Sequence, residues 1–127
     1  MSEKTKSLRV LVVEDEFIIA DEIAAIVQAA GHSVLGPVAS VEEASAALAR
    51  ERPGFAVIDA NLRGRSSSSL ARQLAELGIP FCVCTGYRPD DLRSTFGDVV
   101  LIQKPVSARA LAAVLASAAA RHAASCE

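Results

Sequence analysis

Five short apolar runs recur along the chain, over 8–13, 33–39, 55–59, 80–85 and 99–103, and apolar residues at helical spacing follow each of them. Strands this short, alternating with helices, call for a parallel sheet, because each strand must return to the same edge through a right-handed crossover. A parallel sheet is covered by helices on both faces. The expected fold class is therefore α/β, a doubly wound five-stranded parallel sheet.

The intervening segments carry their own signals. Ile19, Ile23, Ile26, Val27 and Ala30 share one helical face that stops at Gly31. Gly36-Pro37 inside the second run predicts an edge strand, since proline has no N–H for a central ladder. Ser40 and Glu43 make a capping box for a helix that turns Ala44 and Leu48 inward and ends near Pro53. Leu70, Leu74 and Leu77 mark a helix closing at Gly78, and the serines at 66–69 read as loop and N-cap residues rather than a modified tract. A short helix is expected over 89–96. From Ser107 an Ala-rich helix carries Ala110, Leu111, Val114, Leu115 and Ala118 inward.

Composition excludes several classes. With 127 residues, the chain is one domain with a core over about 8–124 behind a polar leader at 1–7, enough to bury roughly two-thirds of its unfolded surface. A net charge of -2 with scattered Lys and Arg offers no basic stripe to nucleic acid. The polar leader is no signal peptide. The uncharged stretch 23–41 is broken by Gly31, His32, Gly36 and Pro37, and 110–120 is too short for a membrane span, so a cytoplasmic protein without membrane contact is expected. Cys82 and Cys84 are expected on opposite strand faces and, with Cys126, read as reduced thiols.

The chemistry lies at the strand ends. Glu14 and Asp15 follow the first run, Asp59 ends the third, Thr85 the fourth, and Lys104 follows the fifth. In a parallel sheet these ends share the edge where ligands bind. Three converging carboxylates repel one another unless a cation sits among them, and Mg²⁺ takes oxygen ligands of this kind, with Asp15 and Asp59 direct and Glu14 through water. A carboxylate can attack phosphorus, giving an aspartyl-phosphate whose charge Mg²⁺, the Lys104 ammonium and the Thr85 hydroxyl would balance.

This ordered set resembles the receiver domain of two-component response regulators: the acidic pair Glu14-Asp15, the phospho-acceptor Asp59, the hydroxyl residue Thr85 and Lys104-Pro105, over essentially 8–124. The resemblance implies a flavodoxin-like (βα)5 fold with strand order 2-1-3-4-5, a cis Lys104-Pro105 peptide, and the Asn61 carbonyl as a backbone metal ligand. It implies a phospho-accepting signalling protein rather than an enzyme, one that assists its own phosphorylation and slow dephosphorylation. Its partners would be a sensor histidine kinase or phosphotransfer protein and a downstream protein.

One departure refines the resemblance. Ordinary receivers carry Tyr or Phe three residues before the Lys, and here that position is Leu101. The stretch 80–87, Pro-Phe-Cys-Val-Cys-Thr-Gly-Tyr, instead looks like the Pro-Phe-x-Phe-Ala-Thr-Gly-Tyr signature of the FAT GUY subgroup of stand-alone receivers, with Val83 and Cys84 in place of Phe and Ala. In this reading Thr85 and Tyr87, with the segment to Phe96, carry the switch.

Rival readings fit less well. An inactive docking module should lack some of the acid, Thr and Lys set, and none is missing. A haloacid-type hydrolase needs a second Asp two residues after the nucleophile, where this chain has Asn61. A flavin carrier should have a phosphate-binding loop after its first strand, and Glu14-Asp15-Glu16 would repel phosphate. A phosphate sink or shuttle without output of its own remains compatible with every motif.

Overall fold

The computed structural model describes residues 7–86 and 89–125. In chain order the elements are β1 (Arg9–Val13), α1 (Phe17–Ala29), β2 (Ser33–Val38), α2 (Val41–Arg50), β3 (Phe55–Asp59), β4 (Asn61–Leu62), β5 (Arg65–Ser66), α3 (Ser68–Glu76), β6 (Phe81–Thr85), α4 (Pro89–Phe96), β7 (Val100–Gln103) and α5 (Ala108–Ser125). The five long strands pair in parallel in the order β2-β1-β3-β6-β7. Counted among the five expected strands this is 2-1-3-4-5, the doubly wound flavodoxin-like order.

The pleat divides the core in two. Val10 and Val12 of β1 join Phe55 and Val57 of β3 against Ile23 and Val27 of α1 and Leu111 and Leu115 of α5. Leu11 and Val13 point the other way, with Ala56 and Ile58, onto Ala44 of α2 and Leu70 and Leu74 of α3. Each fully buried aliphatic side chain contributes about 1.5–3 kcal/mol. That packing, rather than capping, holds α1, whose N-terminus has no side-chain cap hydrogen bond.

Several expectations are corrected in detail. Cys82 and Cys84 share one face, both within the cluster that packs on α1 and α5, because residues two apart on a strand point the same way. Their thiols interact, and the Cys84 partner together with burial pushes the Cys82 thiol well up. Cys126 lies outside the described residues. Ala30 and Ala110 are exposed: Ala30 falls beyond the last turn of α1, and Ala110 sits 100° back from Leu111, off the buried stripe. Ala47 is the second buried residue of α2, while Leu48 is half-buried.

The edge strand β2 contains a bulge at its proline. Leu11 pairs with Leu35 and Val13 with Val38, so Gly36 and Pro37 together face Val12. The Gly36-Pro37 peptide is cis, and Gly36 has φ +100°. A Cβ there would lie 2.8 Å from the Val38 nitrogen, which leaves glycine alone at the position. The bulge brings the Val38 carbonyl to within 2.9 Å of the Glu14 N–H, so the chain leaves β1 still tied to its neighbour.

Candidate functional site

At the carboxyl edge of the sheet, the residue types expected from the sequence converge. Glu14, which follows β1, has a side chain with no solvent exposure. Its Oε2 accepts the Glu16 N–H at 3.0 Å. Its Oε1 forms an ion pair with Lys104 Nζ at 3.0 Å and, among the described residues, accepts no hydrogen bond. Lys104 Nζ donates instead to Asp59 Oδ2 at 2.9 Å. Asp59 Oδ1 accepts the Asn61 N–H at 3.3 Å, and Asp15 Oδ2 accepts the Arg63 N–H at 3.1 Å.

One carboxylate oxygen from each of Glu14, Asp15 and Asp59 can be chosen so that all three lie within 4.8 Å of one another. Among the described residues, Lys104 is the one ammonium paired with this cluster, through Glu14 and Asp59. The donor set is all hard oxygen, as Mg²⁺ prefers, and the buried Glu14 Oε1, which among the described residues accepts no hydrogen bond, keeps room for a second cation beside Lys104. The residues present therefore fit a divalent metal.

The electrostatics follow from burial. Burial pushes the Glu14 carboxyl up to about 7, against the opposing pull of the Glu16 N–H and the Lys104 ammonium, and neighbouring Asp59 pushes it the same way. For Lys104 burial works to lower the ammonium, yet Asp59 and Glu14 together hold it above the usual lysine value. A carboxyl kept partly protonated by its surroundings is one that a metal ion would ionise.

Thr85 ends β6 and is buried, at 1% exposure. Its carbonyl accepts the Lys104 N–H at 2.7 Å, so the threonine and lysine ends of β6 and β7 are stitched together. The Lys104-Pro105 peptide is cis. Tyr87, expected to carry the switch, lies outside the described residues.

The sequence reading missed the structure of the loop after Asp59. The segment 60–66 folds into a hairpin in which Asn61 pairs with Ser66 and Leu62 with Arg65. Arg63 and Gly64 form its two-residue turn with φ +54° and +79°, the pattern that two-residue hairpins require. The Asn61 side-chain oxygen accepts the Gly64 N–H at 2.9 Å, and the Arg65 guanidinium meets Glu42 at 2.7 Å. A two-residue turn containing glycine was the available signal, but strands of two residues are too short to show a period.

A cavity of about 630 Å³ lies at the opposite edge of the sheet, lined in part by Pro80, Asp98, Val100, Arg121 and His122. It gathers one carboxylate among these, Asp98, and nothing comparable to the convergence around Asp59.

Comparison with known proteins bears on this geometry. No family model matches the chain, and no curated protein sequence does. Solved structures match it closely. The receiver (REC) domain of the response regulator PhyR from Erythrobacter litoralis is 28% identical, with a TM-score of 0.79, over 88% of this chain and 89% of that one. These neighbours are response-regulator receivers. PhyR from Brucella abortus is 27% identical with a TM-score of 0.83, over 96% of this chain and 51% of that one, so the chain spans about half the length of that regulator. A CheY-like receiver domain protein from Methanospirillum hungatei shares the fold at 24% identity and a TM-score of 0.79, over 91% of this chain and 96% of that one.

Proposed function

We propose that this chain is a phospho-accepting receiver: Asp59 takes a phosphoryl group from a phosphohistidine of a sensor kinase or phosphotransfer protein. The observation that carries the reading is the convergence of Glu14, Asp15 and Asp59 at one sheet edge, with the Lys104 ammonium paired to Glu14 and Asp59. An Asp59 oxygen attacks phosphorus, the phosphorus–nitrogen bond of the donor breaks, and the imidazole leaves. The Lys104 ammonium, now 2.9 Å from Asp59 Oδ2, stays as the counter-charge for the phosphoryl oxygens. The Thr85 hydroxyl, at the adjacent strand end, donates to another of them. Glu14, Asp15 and Asp59, with the Asn61 carbonyl, would hold Mg²⁺, which supplies charge neutralisation of the phosphoryl group when bound. Phe17 and Ile18, 79% and 72% exposed at the start of α1 beside the acids, offer apolar contact to a donor protein.

The output follows by switching. With Leu101 in place of an aromatic on β7, the moving aromatic is Tyr87 of the FAT GUY-like stretch, and the surface that changes is 87–96 or α5, read by a downstream protein. The chain is then a signalling protein in a two-component phosphorelay and not an enzyme with an external substrate. Intact mass after incubation with Mg²⁺ and acetyl phosphate tests the first step. A gain of one phosphate is expected in the wild type, absent in Asp59→Asn and without metal. A folded wild type that gains nothing from acetyl phosphate or from purified kinase would overturn the reading. On the same samples Tyr87→Ala should accept phosphate yet lose most of the NMR shift changes over 87–96, and their full persistence would remove Tyr87 from the switch.

A further inference from the structure

We propose that Ser67 is a positioning residue for the phospho-acceptor and its metal. The proposal rests on the receiver reading above and on a contact that reading does not use. Ser67 stands between β5 and α3 with 0% exposure. In the position of a helix cap, its side chain makes no cap hydrogen bond. The hydroxyl instead donates to the backbone carbonyl of Asp59 at 2.6 Å, entirely out of water. Its own N–H donates to the Ala60 carbonyl at 2.9 Å, and the Ala60 N–H donates across to the Cys84 carbonyl at 2.8 Å.

Two consecutive carbonyls, those of Asp59 and Ala60, are therefore held by one residue from the far side of the loop. The peptide that joins them is held at its N–H by β6. This closes the base of the 60–66 hairpin, while the Arg63 N–H ties its tip to Asp15. Asp59 and Asn61, two of the four groups assigned to the metal, sit on the clasped segment, and Asp15 is bound to it. A hydroxyl that caps a helix stabilises that helix alone. A buried hydroxyl bonded to the carbonyl of the acceptor residue fixes how that residue and its neighbours present oxygen to a cation. Groups that orient metal ligands from behind typically change metal affinity by about 10–100-fold when removed.

The test is a Mg²⁺ titration of wild type, Ser67→Ala and Ser67→Thr, followed by amide NMR shifts of Asn61 and Arg63, beside phosphorylation rates with acetyl phosphate across Mg²⁺ concentration and a thermal melt. Ser67→Ala should raise the half-saturating Mg²⁺ about tenfold, with the phosphorylation rate recovering at saturating metal. Ser67→Thr, which keeps the hydroxyl, should return half-saturation toward the wild-type value. If Ser67→Ala melts lower but binds Mg²⁺ as wild type does, Ser67 is only structural and the proposal is overturned. Should Ser67→Ala not fold, Ser67→Thr decides: a folded Thr variant with wild-type half-saturation supports the proposal, and one with weakened Mg²⁺ binding despite an unchanged melt overturns it. A wild type that binds Mg²⁺ but takes no phosphate would instead fail the receiver reading and leave the Ser67 comparison standing.

Discussion

The two edges of the same sheet are built on opposite principles. At the amino edge the polar groups are satisfied cheaply: the Leu8 N–H donates to His32 Nδ1 at 3.0 Å, and Arg9 and Glu51 pair with 40% and 43% of their side chains still in solvent. At the carboxyl edge three carboxylates and one ammonium are packed together, with Glu14 at 0% and Asp59 at 8% side-chain exposure. A chain built only for stability would not bury carboxylates against one another in this way, because burial and the neighbouring Asp59 push the Glu14 carboxyl up to about 7 and its ionisation there is costly. The difference marks which edge the fold keeps for chemistry.

Removing Lys104 is the change that should break this contrast most. Lys104→Ala leaves Asp59 and Glu14 facing each other without their ammonium. A loss of about 1.5–3 kcal/mol is expected, the scale of a hydrogen bond to a charged group. For a domain of this size that is a fall of roughly 5–10 °C in melting temperature. Mg²⁺ should then raise the melting temperature of the variant more than that of the wild type, since the metal would replace the missing positive charge. Equal Mg²⁺ stabilisation in both proteins would mean that ammonium and metal do not share these carboxylates.

The contrast also explains what was legible in the sequence. The fold was legible because alternating apolar runs encode a period that burial must satisfy on both sheet faces, and the core of β1 and β3 obeys it residue by residue. Glu14, Asp59 and Lys104 were legible because topology alone sends strand ends to a common edge. The hairpin after Asp59, the role of Ser67 among four consecutive serines and the cis bond at Pro37 were not, since each depends on a contact made only after the chain has folded. The cysteine pair was misassigned for a simpler reason, a strand period applied one residue out of phase.

At the amino edge the expected effects are smaller and depend on pH. Partial burial of the His32 ring lowers its tendency to take a proton, and its Nδ1 accepts the Leu8 N–H. Below the ordinary histidine value of about 6.5 the unfolded chain therefore binds more protons than the native one. Stability should be full above that value and fall as pH drops through it toward the lower folded value. His32→Asn keeps an acceptor oxygen but does not titrate, so its unfolding free energy, measured by urea at pH 7.5 and pH 5.5, should change less between the two. The same decline in both proteins would assign the pH dependence to other groups.

The smallest effect should come from the Arg9–Glu51 pair, although its geometry is bidentate. Arg9 Nε and Nη2 meet the two Glu51 oxygens at 2.6 and 3.2 Å, and Nη1 donates to the Val34 carbonyl at 2.9 Å. Each group raises or lowers its partner's proton affinity in the stabilising direction. Both side chains nevertheless keep much of their hydration, so the Coulomb gain is screened and the side-chain entropy lost offsets it. A double-mutant cycle over Arg9→Ala and Glu51→Ala should give a small coupling that vanishes near 1 M salt, where the screening length is about 3 Å, with phosphorylation of Asp59 unchanged. The Val34 bond should make Arg9→Ala cost more than Glu51→Ala, because truncating the arginine removes a contact to β2 as well as the charge. A coupling that survives high salt, or a change in phosphorylation, would mean that the two edges are not independent and that β1, running from Arg9 to Glu14, transmits between them.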